Sequence, residues 1–215
     1  MSGAPAIVPA ATPEQLWHRL RDFRDALVPV AEAAGVTLAA HPDDPPLPTV
    51  RSQPRLVYRP ELYQKLIDLN PSPRNALEFC VGTIAEMSGG DVYAAVEQYS
   101  RQGRLAYVHL RNVRGKAPFY KETFIDEGDV DVLRGLRILK KNRFDGVIIP
   151  GGYAPDHIRR HPKANQFVHD LDKQGKLVAS ICHGPWVLCS AGGMLKGRKA
   201  TSFFAIKDDV VNAGA

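Results

Sequence analysis

Apolar residues along this chain fall into short blocks that alternate between helical and strand spacing. Leu16, Leu20, Phe23 and Leu27 recur at helical intervals behind Thr12, Pro13 and Gln15, which supply an N-cap, a first-turn proline and a capping partner. A helix is therefore predicted from Pro13, broken or kinked at Pro29, with a short second piece stopped by Gly35. Val36 to Ala40 reads as a buried strand that delivers His41 into the loop HPDDPPLP. Pro60 opens a helix carrying Leu62, Leu66 and Leu69, and Ala76 to Phe79 form a strand ending on Cys80. The pattern repeats, with Asp91 capping a helix through Val92, Val96 and Tyr99 and a strand from Arg104 to Val108 ending on His109. A loop containing FYKETF leads to a helix from about Val130 to Lys141, and then to the strand within FDGVIIPGGY, residues 144–153. Beyond it come a helix from Pro162 to Gly175 and a strand from Lys176 to Ile181. A sharp turn at Cys182, His183 and Gly184, a helix through Trp186 and Leu188, and a last strand near Lys199 to Phe203 complete the series.

Strands alternating with amphipathic helices at this interval predict an α/β fold of parallel strands with right-handed crossovers. A chain of 215 residues, 44% of them apolar, can bury an ordinary core as one large or two small domains. No run approaches the roughly 18 apolar residues of a membrane span, and MSGAPAIVPAATPEQ lacks the basic and apolar regions of a secretion signal. The expectation is a cytoplasmic protein with no membrane partner. Cys80, Cys182 and Cys189 are odd in number and lack a scaffold spacing, so reduced thiols are expected. The net charge of +5 comes from scattered residues such as Lys140, Lys141 and Arg143, without the basic, aromatic-interleaved block of a nucleic-acid surface.

His41, Cys80 and His109 each stand at the C-terminal end of a predicted parallel strand, the edge where such sheets place their sites. Two imidazoles and a thiolate suit a divalent ion such as manganese, iron or zinc, with Asp43 or Asp44 at hand to orient an imidazole or donate oxygen. Taken singly, each has a plainer reading: a histidine satisfied at a strand end, or a cysteine packed in the core.

The wording around these residues is more specific. HPDDPPLP with PRLVY, then LEFCVGT, VHLRNVRG, the FYKE run and EGDVDV, in this order, closely resemble the C-terminal part of the mannonate dehydratase family, over about residues 30–149. The resemblance implies a xylose-isomerase-like TIM barrel that removes water from D-mannonate to give 2-keto-3-deoxygluconate with Mn2+ or Fe2+, Zn2+ being compatible. It makes His41, Cys80 and His109 three of the metal ligands. The family's fourth ligand, the aspartate of an Asp-His pair, is displaced here by Pro150, Gly151 and Gly152. Asp156 and His157, a few residues on, are the available substitutes as fourth ligand or acid–base pair. The N-terminal half of such a barrel is missing from the sequence, so an impaired site is expected.

Strand, sharp turn on a nucleophile and following helix also make up a nucleophile elbow, and SICHGP has that shape. Cys182 is then a candidate reactive thiol with an oxyanion site in the neighbouring amides, the alternative being a structural cysteine before a helix. VIIPGGYAPDHIRR, GKLVASICHGPWVL, GMLKGRKATS and IKDDVVNAGA resemble the PfpI-type group of the class I glutamine amidotransferase-like superfamily, over about residues 143–215. That resemblance implies a flavodoxin-like (Rossmann-like) sheet and a cysteine hydrolase, glyoxalase or deglycase. It makes Cys182 the nucleophile, His183 its neighbour, Gly151 and Gly152 the oxyanion loop, and Asp156 an acidic position beside it. The strand that brings a glutamate to the cysteine in that group is missing.

The chain thus reads as a hybrid, with an N-terminal helical segment at 1–29, a partial TIM barrel at 30–149 and a partial PfpI-like domain at 150–215, joined through the seam at 144–153. Unpaired sheet edges in such a hybrid favour a homo-oligomer. The function expected first is a metal-dependent hydro-lyase acting on a small sugar acid. A cysteine enzyme acting on a carbonyl substrate and a non-catalytic hybrid are the alternatives.

Overall fold

The computed structural model of the protein describes residues 9, 11–142, 144 and 146–215. Residues 1–8 and 10 of the N-terminal segment, and Arg143 and Asp145 around the seam, lie outside the described residues. The chain forms two compact units, Met1–Asn142 and Arg143–Ala215, divided just before the seam strand.

The first unit begins with α1 (Pro13–Ala33), whose start carries a complete capping box between Thr12 and Gln15. Pro29 does not break this helix. It lies on the exposed side, where water can take up the carbonyl that a proline leaves without its amide. The buried face also differs from the leucine stripe: Trp17, Arg24, Val28 and Ala31 are buried, whereas Phe23 is 58% exposed. Arg24 turns inward because Asn75 Oδ1 accepts a 2.8 Å bond from its Nη1. The helix ends at Ala33, and Gly35 takes the positive φ of 67° that follows it.

The order then runs β1 (Leu38–Ala40), a hairpin of β2 (Thr49–Val50) and β3 (Gln53–Pro54), α2 (Leu62–Asp68), β4 (Asn75–Cys80), α3 (Val81–Glu86), α4 (Val92–Arg101) and β5 (Leu105–His109). Strands β1, β4 and β5 pair in that order, all parallel. Strand β4 is buried almost throughout, as a strand covered on both faces requires. Behind it Tyr63 stacks on Phe79 and meets Tyr99 edge-on, at 5.9 and 5.5 Å between ring centroids. The FYKETF stretch, expected as a loop, is half of an antiparallel hairpin, β6 (Asn112–Lys116) with β7 (Phe119–Thr123). Helix α5 (Val132–Lys141), capped by Asp131, closes the unit.

The second unit comprises β8 (Gly146–Ile149), α6 (Ala154–Ile158), α7 (Pro162–Lys173), β9 (Leu177–Ser180), α8 (Pro185–Ser190) and α9 (Lys207–Asn212), the last preceded by a 3-10 turn at Phe204–Ile206. Strands β8 and β9 pair in parallel, in a two-stranded sheet separate from that of the first unit. Ile149, Val168, Val187, Leu188, Met194, Leu195, Ile206 and Val210 form the core on one side of it. Ile148, Leu177 and Ile181, on the other side by strand alternation, are exposed. The strand expected near Lys199 to Phe203 is irregular chain, tied to the sheet end by a 3.0 Å bond from Phe203 N to the Cys182 carbonyl.

Candidate metal centre and candidate thiol site

Parallel pairing brings the C-terminal ends of β1, β4 and β5 to one edge, and His41, Cys80 and His109 meet there. One ligand atom from each lies within 4.8 Å of the others, with Cys80 buried and both histidines exposed. The sheet register matters in detail. Leu77 pairs with Leu105 but Glu78 pairs with Tyr107, so Ala106 is an extra residue on β5. That irregularity sets His109 directly opposite Cys80; without it the partner would be Val108, whose side chain points to the other face.

Each ligand candidate is held by its surroundings. His41 Nδ1 lies 2.6 Å from the Pro42 carbonyl, to which a neutral ring donates, leaving the Nε2 lone pair for the cluster. Neither Asp43 nor Asp44 orients the imidazole, as the sequence had suggested. Asp43 accepts from the Leu56 and Val57 amides and pairs with Arg55, while Asp44 faces Arg111, Thr83 and Tyr120. Cys80 caps α3, its sulfur accepting from the Thr83 amide at 3.5 Å. Burial opposes ionisation of this thiol, but hydrogen bonds from His109, His41 and Thr83 outweigh it and bring the pKa down to about 5. The same Cys80 contact lifts His41 to about 9 and raises His109. A divalent ion binds thiolate sulfur and neutral imidazole nitrogen, so its binding here would release the protons these groups share.

Beside the cluster, Arg111 collects three carboxylates: Asp44 at 2.7 Å, Glu86 at 2.7 Å and Glu122 at 3.3 Å. Its side chain passes over Gly82, where a Cβ would lie 2.8 Å from Arg111 Cγ. Glu86 is fully buried, and its desolvation, with only part of one guanidinium to offset it, pushes its pKa up to about 7. Sequence reasoning missed Thr83, Glu86, Arg111 and Tyr120. Their one legible signal was Arg111, two residues beyond His109 in VHLRNVRG.

In the second unit, Cys182 sits in the left-handed region at φ 58°, which a non-glycine residue occupies only where its surroundings enforce it. Gly151 leaves room beside the cysteine, and Gly184 lets the turn that follows it pass close to the sheet end. A Cβ on Gly151 would come 2.5 Å from Cys182 Cβ, and one on Gly184 would come 2.4 Å from the Ile149 carbonyl oxygen. Cys182 Sγ lies 3.3 Å from Nδ1 of His183, whose ring packs between Trp186 and Phe203 at 5.2 and 4.7 Å between centroids. Gly152, the other predicted oxyanion-loop residue, has φ 77° with open space beside it. Asp156 lies in α6 with its carboxylate bonded by Arg160, and His157 follows it on the same helix. Cys189, on α8, packs partly buried against the core, and burial raises its pKa.

A parallel βα sheet whose C-terminal edge gathers two imidazoles and a thiolate belongs among the α/β proteins with a sheet-edge site. The chain belongs to the D-mannonate dehydratase (UxuA) family, whose profile matches residues 9–174. That match runs past Ile149, beyond the reach of the motifs read from the sequence. The mannonate dehydratase of Lactococcus lactis subsp. cremoris is 34% identical over 151 residues, covering 66% of this chain and 40% of that protein. The crystal structure of mannonate dehydratase from Streptococcus suis serotype 2 superposes with a TM-score of 0.58 at 34% identity, over 61% of this chain and 38% of that one. This chain thus spans about 40% of the length of the curated mannonate dehydratases it matches. Another part is similar to deglycase PfpI of Pyrococcus furiosus, 49% identical over 73 residues, which cover 34% of this chain and 43% of that protein.

Proposed function

We infer that the first unit carries a divalent-metal site and that the activity it serves is hydro-lyase chemistry on a sugar acid, D-mannonate to 2-keto-3-deoxygluconate. The observation that carries this reading is the convergence of His41, Cys80 and His109 within 4.8 Å. Two imidazoles and a thiolate are a donor set of borderline softness able to hold a divalent ion, Mn2+ or Fe2+ as the family resemblance implies, with Zn2+ compatible. When bound, such an ion supplies Lewis-acid polarisation of substrate oxygens. The chain's own residues must then take the proton beside the substrate carboxylate and give one to the departing hydroxyl. Asp156 and His157 are the groups offered for that work. Because Pro150, Gly151 and Gly152 stand where the family resemblance implies the closing Asp-His pair, turnover by this chain is expected to be very low.

The test is elemental analysis of the full chain after dialysis against trace Mn2+ or Zn2+. The wild type is expected to retain about one ion and Cys80→Ala none; equal metal in both refutes the site. Formation of 2-keto-3-deoxygluconate at a rate abolished by chelator and by His109→Ala would overturn the expectation of impairment.

The architecture proposed with this reading is a helical segment at 1–29, a partial TIM barrel at 30–149 and a partial flavodoxin-like sheet at 150–215. Exposed Ile148, Leu177 and Ile181 and the open edges of a two-stranded parallel sheet support a homo-oligomer. Light scattering of the purified chain reads that directly. No helix among the described residues is long and apolar enough to cross a membrane, and the reading places the protein in the cytoplasm.

The positive φ of Cys182 favours a second reading, a PfpI-type cysteine hydrolase, glyoxalase or deglycase acting on a carbonyl substrate, with Gly151 and Gly152 as its oxyanion loop and His183 beside the thiol. It predicts that Cys182 alkylates first of the three cysteines. Cys80 is fully buried, and Cys189 is slowed by its raised pKa. Mapping of iodoacetamide labelling at pH 7 checks this, and labelling of Cys189 as fast as Cys182 removes the reading. A chain that neither retains metal nor shows a preferred thiol is the non-catalytic hybrid.

A further inference from the structure

Strand alternation puts a second pair of functional side chains directly behind the metal-site residues. Glu78 precedes Cys80 by two positions on β4 and Tyr107 precedes His109 by two on β5, so all four project from the same face. The displaced register pairs them across the strands, Glu78 with Tyr107 and Cys80 with His109. The Tyr107 hydroxyl donates to Glu78 Oε2, and no described hydrogen bond engages Oε1. The site holds only three donors within 4.8 Å, whereas zinc-type sites close with four and manganese or ferrous sites use more.

We propose that Glu78 is the oxygen donor that completes this site, presented to the ion by its hydrogen bond from Tyr107. The inference rests on the metal-site reading above. Two residues of strand separate the Cα atoms of Glu78 and Cys80 by about 6.6 Å, a gap that a glutamate, with three side-chain torsions, can span toward the sulfur while Oε2 stays with the tyrosine. An oxygen added to two nitrogens and a sulfur also moves the donor set toward Mn2+ and Fe2+, which prefer harder ligands than zinc requires. In sequence terms the ligand is already present in LEFC, two positions from the cysteine it would assist.

The experiment is titration of the full chain with Co2+, followed by visible absorption, and with Zn2+ in competition with a chelating dye. The proteins are the wild type, Glu78→Gln, Glu78→Asp, Tyr107→Phe and Cys80→Ala. Glu78→Gln is expected to weaken binding at least about tenfold and to change the bound Co2+ spectrum. Glu78→Asp keeps the charge but shortens the reach. It should lose affinity as Glu78→Gln does if the carboxylate coordinates, and retain it if only the negative field matters. Tyr107→Phe should weaken binding less than either, with a Co2+ spectrum close to that of the wild type. Wild-type affinity and spectrum in Glu78→Gln, with metal lost in Cys80→Ala, would overturn Glu78 as a ligand and leave the three-residue site standing; wild-type affinity in Glu78→Asp alone would likewise overturn coordination. Absence of binding in the wild type would overturn both.

Discussion

Arg111→Met should destabilise the first unit by about 3 to 5 kcal/mol, the range found when one partner of a buried ion pair is removed and the other is left behind. Arg111 offsets Asp44, Glu86 and Glu122 together, and its own side chain is only 10% exposed. Glu86 is fully buried and, among the described residues, its ion-pair partner is Arg111. A methionine keeps much of the aliphatic stem that crosses Gly82, so packing over the start of α3 survives and the loss reports charge. Arg111→Lys should recover only part of the effect, because one ammonium cannot serve carboxylates on three sides as a planar fork does. The measurement is denaturant unfolding followed by Trp17 fluorescence in a Trp186→Phe background, so that the signal comes from the first unit. A loss below about 1 kcal/mol, the level of an exposed pair, would show that the network is solvated and not the buried strut described above.

The second large effect is a pH dependence owed to Glu86. Its pKa rises from 4.5 to about 7 on folding; desolvation dominates, Arg111 opposes it, and Asp44 and Cys80 add to it. Between those two values the native state therefore binds more protons than the unfolded chain, and stability falls as pH rises through the window. The full stabilisation is present below about pH 4.5 and is gone above about pH 7. A shift of that size corresponds to at most about 3 kcal/mol. His41 and Cys80 titrate in overlapping ranges, so the comparison is with Glu86→Gln, which mimics the protonated acid and leaves those groups in place. The stability of Glu86→Gln relative to the wild type should climb between pH 4.5 and 7 and level off on either side. A pH-independent difference would mean that Glu86 is ionised throughout.

The sequence by itself determined the elements whose signals are local. The capping box at Thr12, the N-cap Asp91, the helices at Pro162 and up to Lys141 and the strands ending on Cys80 and His109 all lie where composition and period put them. Local chemistry also placed Cys182 on a sharp turn, because its cause, Gly151 packed against it and Gly184 turning the chain close under the Ile149 carbonyl, is written within the same motifs. Tertiary structure decided the rest. Pro29 stays inside α1 because its carbonyl partner faces solvent, and the FYKETF stretch pairs with a strand it meets only across a turn at Ala117 and Pro118. Arg24 and Glu86 are charged residues that a pattern of polar and apolar positions assigns to the surface; one is drawn inside by Asn75 and the other by Arg111. The single extra residue at Ala106 lies furthest from what a sequence can disclose. Which residue of a strand is skipped is settled by pairing energies summed over two strands, and here that choice turns His109 toward Cys80 and Tyr107 toward Glu78.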